Sequence, residues 1–408
     1  MSNELIPLSQ VANIIGGYAF KSGDFGATGF PVVKIANIEP PRVNLTDGER
    51  IPAGKVVGLD RFRLNDRDIV MAMTGATIGK VGRVRSSEPS YLNQRVAKLS
   101  AKAGHKFDDF VFALVTQAGF DAEVINHSNG SAQANISTDG IGRILVPDFP
   151  PEEQLQIGRV IGALDDKIEL NRRMNETLEA LAQSLFKSWF VDATQSALPK
   201  GWREVKLSEC CENIFSGGTP STQIPAYWNG ELPWLSSGET RNKFILETEK
   251  TITQEGVANS STRLAKAGST VIASAGQGHT RGQTSFLTFD SYVNQSVVVL
   301  VANKAMSSDM FLFFDLERRY QEFRAISDSH SIRGSLTTKL LGGLTVILPP
   351  RDLISKFDEA VLPMTNRIIS NLKESHTLDA LRDALLPKLL SGELRVSFSV
   401  PSNPNQTS

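Results

Sequence analysis

Gly75-Ala76-Thr77-Ile78-Gly79-Lys80 has the outline of a phosphate-binding loop. Such a loop needs four residues between its glycines and a Ser or Thr after its lysine, because backbone N–H groups cradle the phosphates while the hydroxyl meets Mg²⁺. Here three residues separate the glycines, Val81 replaces the hydroxyl, and the repeat-equivalent Gly276-Gln277-Gly278-His279 has no lysine. The five histidines (His105, His127, His279, His330, His376) show neither paired ligand spacing nor a His-Glu motif for zinc. Cys210 and Cys211 are adjacent, cannot easily bridge each other and have no metal-ligand spacing. No Asp-Asp or Glu-x-Lys grouping follows a strand in both halves, and no Asn-Pro-Pro-aromatic motif for methyl transfer is present. The pattern predicts a chain that binds and positions, is not itself an enzyme, and holds neither metal nor cofactor.

Charge gives a second signal. The chain has 43 Lys+Arg against 44 Asp+Glu, a formal net charge of −1. Between Lys80 and Lys106, however, it carries Lys80, Arg83, Arg85, Arg95, Lys98, Lys102 and Lys106 against Glu88 alone. Such a stretch either contacts phosphates or forms a solvated basic face. With 408 residues and 40% hydrophobic content, the chain has enough apolar mass for two or three domains. Apolar runs such as Val297–Ala302 are far shorter than a membrane helix requires. Met1-Ser2-Asn3-Glu4-Leu5 has neither the basic nor the apolar region of a secretion signal. These features and the unpaired cysteines point to the cytoplasm.

The elements that would position these residues occur twice. Leu8-Ser9-Gln10 matches Leu207-Ser208-Glu209, Gly16-Gly17 matches Gly217-Gly218, and Asp68–Ala72 matches Ser269–Ala273. Asn93–Val96 matches Asn294–Val297, Asp108 and Phe110–Phe112 match Asp309 and Phe311–Phe313, and Pro150-Pro151 matches Pro349-Pro350. The offset stays between 199 and 201. A repeat of that length decides the architecture. Each copy alternates short β-type runs with Gly- and Pro-rich turns and contains an amphipathic helix, near 107–118 and 308–325. The expected class is α+β, with mixed domains at 1–150 and 198–349, helical regions at 151–197 and 350–396, and a flexible tail at 397–408.

In the first helical region Ile157, Ile161, Leu164, Ile168, Asn171, Asn175, Leu178, Ala182, Leu185 and Trp189 step by 4-3-4-3, the seam of a coiled coil. The second repeats it 200 residues on, from Phe357 through Ile368, Asn371, Ser375 and Arg382 to Leu389. About 35 helical residues span roughly 50 Å. Neither helix can hide its stripe alone, so the two are expected to pair antiparallel. A pseudo-two-fold near position 173 would set Asn175 opposite Asn371 and Asn171 opposite Ser375; alternatively Asn171 and Asn175 reach solvent. Pro363 should start or kink the second helix. Arg382, at a seam position, should splay its end or contact another protein.

These features together resemble the specificity subunit of type I restriction-modification enzymes. The likeness rests on Pro150-Pro151-Glu152-Glu153-Gln154 opening the first helix and Phe186-Lys187-Ser188-Trp189-Phe190-Val191-Asp192 closing it. It rests also on Leu385-Leu386-Pro387-Lys388-Leu389-Leu390-Ser391-Gly392-Glu393-Leu394 and on the turns Gly130-Ser131-Ala132-Gln133, Ile136-Ser137 and Arg333-Gly334-Ser335-Leu336. The resemblance implies two target recognition domains, each reading half of a split double-stranded DNA sequence, with the helices setting the spacer. It implies two methyltransferase subunits that modify adenine N6, and restriction (motor-nuclease) subunits. S-adenosylmethionine, ATP and Mg²⁺ would then belong to those partners.

Within that reading, cations position the backbone while amides, hydroxyls and arginines read bases. The first-domain candidates are Lys21, Lys34, Asn37, Thr74, Thr77, Lys80, Gln94, Arg95, Ser131 and Gln133. The second-domain candidates are Thr219, Ser236, Ser237, Gln277, His279, Arg281, Gln295, Arg333 and Ser335. Asn93 and Asn294 recur and suit a scaffold role better, whereas Arg95 against Ser296 suits specificity. Trp189 continues the seam and packs by default, while Phe186 and Phe190 lie off it and would be exposed on an isolated pair of helices. The three are therefore expected to meet a methyltransferase subunit. A coiled-coil adaptor without DNA affinity and a self-sufficient DNA-modifying enzyme are the competing readings.

Overall fold

The computed structural model describes residues 4–46, 48–128, 134–275, 280–329 and 335–396. Contacts divide the chain into two compact units, Met1–Glu169 with His376–Ser408, and Leu170–Ser375.

The first mixed domain is organised on a six-stranded sheet. Its main strands are β1 (Ala12–Gly16), β2 (Ile69–Ala72), β3 (Val81–Arg83) and β4 (Val96–Ala101), ordered β1-β4-β2-β3, with Arg42–Val43 and Ile38–Glu39 completing one edge. Strand β2 is wholly apolar and buried, the hydrophobic run of a strand with little solvent on either face, while β4 alternates half-buried Lys98 and Ser100 with buried apolar residues. Helix α1 (Asp108–Thr116) packs on the sheet with Phe110 through Val115 all buried. A helix closed in on every side needs no polar face, so the amphipathic helix expected here is instead a core helix. Its counterpart in the second unit, α3 below, is buried from Met310 to Leu316 for the same reason.

The long helix α2 (Pro151–Phe186) follows, ending in a wider π turn over Lys187–Val191. The second mixed domain repeats the first with β5 (Cys211–Ser216), β6 (Thr270–Ala273), β7 (Thr284–Leu287) and β8 (Val297–Ala302), ordered β5-β8-β6-β7. The registers correspond. Leu99 lies between Ile14 and Ile69, and Leu300 between Ile214 and Thr270. Then come α3 (Asp309–Glu317) and the 40-residue helix α4 (Arg351–Leu390), which continues through an exposed Pro363.

Residues 170–186 of α2 pair antiparallel with 351–375 of α4 in the second unit. Asn371 donates to Asn175 Oδ1 at 2.8 Å, Asn171 to Ser375 Oγ at 3.3 Å, and Phe186 meets Phe357 at 5.5 Å between ring centroids. Asn171 and Asn371 are 0% and 1% exposed, so the polar layers are internal and do not reach solvent. In the first unit, Ile157 and Ile161 share a core with Leu386, Leu389 and Leu390. There Arg382 reaches Asp165 at 3.1 Å and also pairs with Asp379 and Asp383, so it closes the helix pair where splaying was expected.

Phe186 and Phe190 correct a further expectation. They are 2% and 5% exposed, packed against Phe311 and Phe357 with centroids 5.1–5.6 Å apart. They meet both Phe357 on α4 and Phe311 on α3, because the domain core covers a second flank of α2 beside the helix pair. Trp189 is half-buried beside Phe357. The exposed aromatic patch that suggested a partner groove is therefore absent at Phe186 and Phe190.

Two measurements follow from this packing. Phe357 is fully buried among four aromatic rings, those of Phe186, Trp189, Phe190 and Phe314, so Phe357→Ala should destabilise by about 3–5 kcal/mol; a shift under 1 kcal/mol in denaturant unfolding would contradict this core. Burial pushes the Cys210 and Cys211 thiols up to about 12. Neither should alkylate in the native protein at pH 8, and both should react once it is unfolded.

Candidate nucleic-acid interface

At one end of the six-stranded sheet, four chain segments are joined by backbone hydrogen bonds. Gly17 N donates to Val96 O at 3.0 Å and Tyr18 N to Leu92 O at 2.9 Å. Met73 N donates to Arg95 O and Ile136 N to Met73 O, both at 2.9 Å. Gly75 N adds a bond to Ala134 O at 3.1 Å, and Thr74 bridges Asn135. The second domain is joined in the same manner: Gly217 N to Asn294 O, Gly218 N to Val293 O, Ser274 N to Ser296 O and Leu336 N to Ser274 O.

Glycine makes the close approach possible. A Cβ on Gly17 would sit 2.0 Å from Asn93 O, and one on Gly217 1.9 Å from Val293 O, so any larger residue would force the segments apart. The resulting rim gathers Thr74, Gln94 and Arg95 in the first domain and Thr219, Gln295 and Ser335 in the second. Ser236 and Ser237 join the latter, because Asn294 N donates to Leu235 O at 3.0 Å. Ser131, Gln133, Gln277, His279 and Arg333 lie outside the described residues.

Side-chain engagement separates these candidates. Gln94, Arg95, Gln295 and Ser335 are exposed, as are Lys21 and Lys80, and Lys21, Lys80 and Arg95 form no ion pair among the described residues. Lys34 is engaged: its ammonium lies 2.6 Å from Glu49 and 4.3 Å from the centroid of the Phe25 ring. Asn37 Oδ1 accepts the Lys34 N–H at 2.9 Å, and Glu239 accepts the Ser236 N–H at 2.8 Å, so both turns are capped by their own side chains. Thr219 donates to Gln295 Oε1. Thr74 is buried, Thr77 Oγ1 is buried without a partner among the described residues, and Arg281 and Ser237 are half-buried.

The basic stretch shrinks once folded. Arg83 is 1% exposed, bound to Asp109 at 2.7 Å and stacked 4.2 Å from the Phe112 ring centroid. Burial lowers its pKa, with Asp109 acting in the opposite direction. Arg85 pairs with Asp166 at 3.1 Å and Lys98 with Asp68 at 2.6 Å. Those charges tie the domain together internally. Lys80, Arg95, Lys102 and Lys106 remain at the surface. Among the described residues no group of three or more His, Cys, Asp and Glu could hold a metal ion, and no helix is long and apolar enough to cross a membrane.

Comparison with known proteins adds to this geometry. The model of the "Type I restriction modification DNA specificity domain" family matches residues 2–180 and 199–369. The chain is similar to the type I restriction enzyme MjaIX specificity subunit of Methanocaldococcus jannaschii, 24% identical over 379 residues, which cover 89% of this chain and 85% of that protein. It is also similar to the HindI specificity subunit of Haemophilus influenzae, 24% identical over 343 residues, covering 67% and 74%. Among solved structures, the S subunit of a type I restriction-modification system from M. genitalium shares the fold. Its TM-score is 0.65 at 15% identity, over 95% of this chain and 96% of that one.

Proposed function

This chain belongs to the type I restriction-modification DNA specificity family, and from that premise we propose that its two mixed domains each read one half of a split DNA target in the major groove. The observation that carries this reading is the rim. One hydrogen-bonded frame occurs in both domains with a shared glutamine, Gln94 and Gln295, yet the next side chain differs: Arg95 in one, Ser296 in the other. A shared frame with divergent donors suits two unlike half-sites, because each bidentate base contact discriminates by about 1–3 kcal/mol. Duplex DNA has approximate dyad symmetry, which suits two copies of one reading module.

In this reading Gln94, Arg95, Gln295 and Ser335 are the base-reading candidates. Lys21 and Lys80 contact phosphates, and the half-buried Thr219, Ser236, Ser237 and Arg281 shape the second rim. The paired helices act as the spacer ruler and, with Trp189, dock two methyltransferase subunits that methylate adenine N6. Restriction subunits join for cleavage. The chain supplies no catalysis; S-adenosylmethionine, ATP and Mg²⁺ are held by the partners, and the complex works in the cytoplasm.

Three outcomes test the reading. Affinity of the full chain for duplex DNA should fall steeply between 50 and 200 mM salt; a flat response would favour the adaptor reading, and methylation by the purified chain alone would favour a self-sufficient enzyme. Removing one heptad from each helix at paired positions shortens the ruler by about 10 Å, or two to three base pairs at 3.4 Å per step. An unchanged spacer in the mapped methylated adenines would refute the ruler. Replacing residues 1–150 with another such domain should alter one half-site only, and altered recognition at both would refute independent reading.

A further inference from the structure

A groove in the first domain lies outside the rim candidates. It is open, about 680 Å³ in volume, and runs beside β1, the edge strand of the six-stranded sheet. Three cations line it, Arg61, Lys102 and Arg143. All three are exposed and none forms an ion pair among the described residues. Asp139 is the acidic residue on the lining, leaving an excess of positive charge.

The cations are spread along the strand. Lys102 N donates to Val11 O at 2.9 Å, which places Lys102 where β1 begins. Gly142 packs on Ser9, which puts Arg143 at the same end. Arg61 precedes Phe62, whose ring centroid is 5.4 Å from that of Tyr18, where β1 runs into the rim. Five residues of strand from Ala12 to Gly16 extend about 13 Å, the axial rise of about four nucleotides of one DNA strand. The lining also offers the Ser9 hydroxyl and Asn13 amide, both on exposed residues, and contains none of the exposed large apolar side chains. That composition fits phosphates better than the apolar centre of a protein interface.

The second copy carries no charge at the three positions equivalent to Arg61, Lys102 and Arg143, and its exposed Lys339 stands where Asp139 does. Asn303 N donates to Cys210 O as Lys102 N does to Val11 O. Leu207 N donates to Leu344 O as Leu8 N does to Ile144 O, so Gly343 stands where Arg143 does. Ala265 pairs with Ser291 as Leu64 pairs with Ser90, so Thr262 stands where Arg61 does. Thr262 is buried, its hydroxyl donating to Val293 O at 2.9 Å.

We infer that the groove along β1 is a phosphate-backbone cradle that continues one DNA strand past the rim of the first domain, so the two halves of the target are gripped by unequal numbers of cations. The inference rests on the DNA-reading function proposed above. Cradle contacts fix position without reading bases.

The test uses the full chain and a labelled 40-base-pair duplex of mixed sequence, titrated between 50 and 300 mM salt. Each of Arg61→Thr, Lys102→Asn and Arg143→Ala should make the slope of log affinity against log salt shallower by about 0.9, and the triple variant by about 2.7. The control removes three other exposed cations, with Lys200→Ala, Lys356→Ala and Arg367→Ala. An equal change in control and cradle variants, or no change in either, overturns the cradle. Intact DNA slope with loss of methyltransferase assembly would also overturn it and assign the groove to an acidic protein surface. Salt-insensitive binding by the unmodified chain would instead overturn the DNA reading itself. In the assembled complex, hydroxyl-radical footprinting should show protection lost at one end of the footprint while the sequence methylated stays the same.

Discussion

A buried carboxamide must find a partner, and that requirement fixes the register of the long helices. Asn371 donates to Asn175 at 2.8 Å in a site closed to water, and Asn171 reaches Ser375 and Glu374 one layer away. Sliding α4 by a residue would leave these amides facing aliphatic neighbours such as Ile368, at about 1–3 kcal/mol for each orphaned group. Apolar layers alone would tolerate such slippage better. The polar layers thus trade some stability for a single alignment, as buried Asn residues do in other coiled coils. The Phe186, Phe190, Phe311 and Phe357 cluster extends that alignment into the second domain's core.

The duplication, the strand succession and the helix pairing were legible because they depend on periodicity, and the Asn171–Ser375 and Asn175–Asn371 layers followed from simple counting. The second buried flank of α2 was not legible. Heptad spacing identifies one seam, but Ile157, Ile161 and Asp165 step by four, as do Ala182, Phe186 and Phe190, and all are buried. A helix with 3.6 residues per turn gives such a stripe when it packs against two neighbours at once. A sequence shows the first neighbour and hides the second.

The candidate interface was legible to a lesser degree. The glycines at 17 and 217 and the recurrent Asn93 and Asn294 marked the frame; Asn294 Oδ1 indeed accepts the Ser296 N–H at 3.0 Å, a turn-building bond. The fate of the cations was not legible, because the partners of Arg83, Arg85 and Lys98 are 26, 81 and 30 residues distant in sequence. Arg67 illustrates how the copies diverge around one backbone. Its φ of +71° recurs at Gly268 with +90°, and both N–H groups donate at 2.8 Å to equivalent carbonyls, Val84 and Leu287. Glycine adopts that conformation freely, whereas arginine is held in it by ion pairs to Asp109 and Asp166.

The first compact unit is assembled from two stretches far apart in the chain, Met1–Glu169 and His376–Ser408. The core containing Ile157 and Ile161 also contains Leu386, Leu389 and Leu390, from the last turns of α4. During synthesis the N-terminal domain emerges first, but the part of its core that Leu386, Leu389 and Leu390 complete stays open until nearly the whole polypeptide has left the ribosome. The second unit, Leu170–Ser375, is continuous and has all its parts sooner. Order of birth and order of completion are reversed, so a ribosome that stalls early leaves the first-made half unfinished.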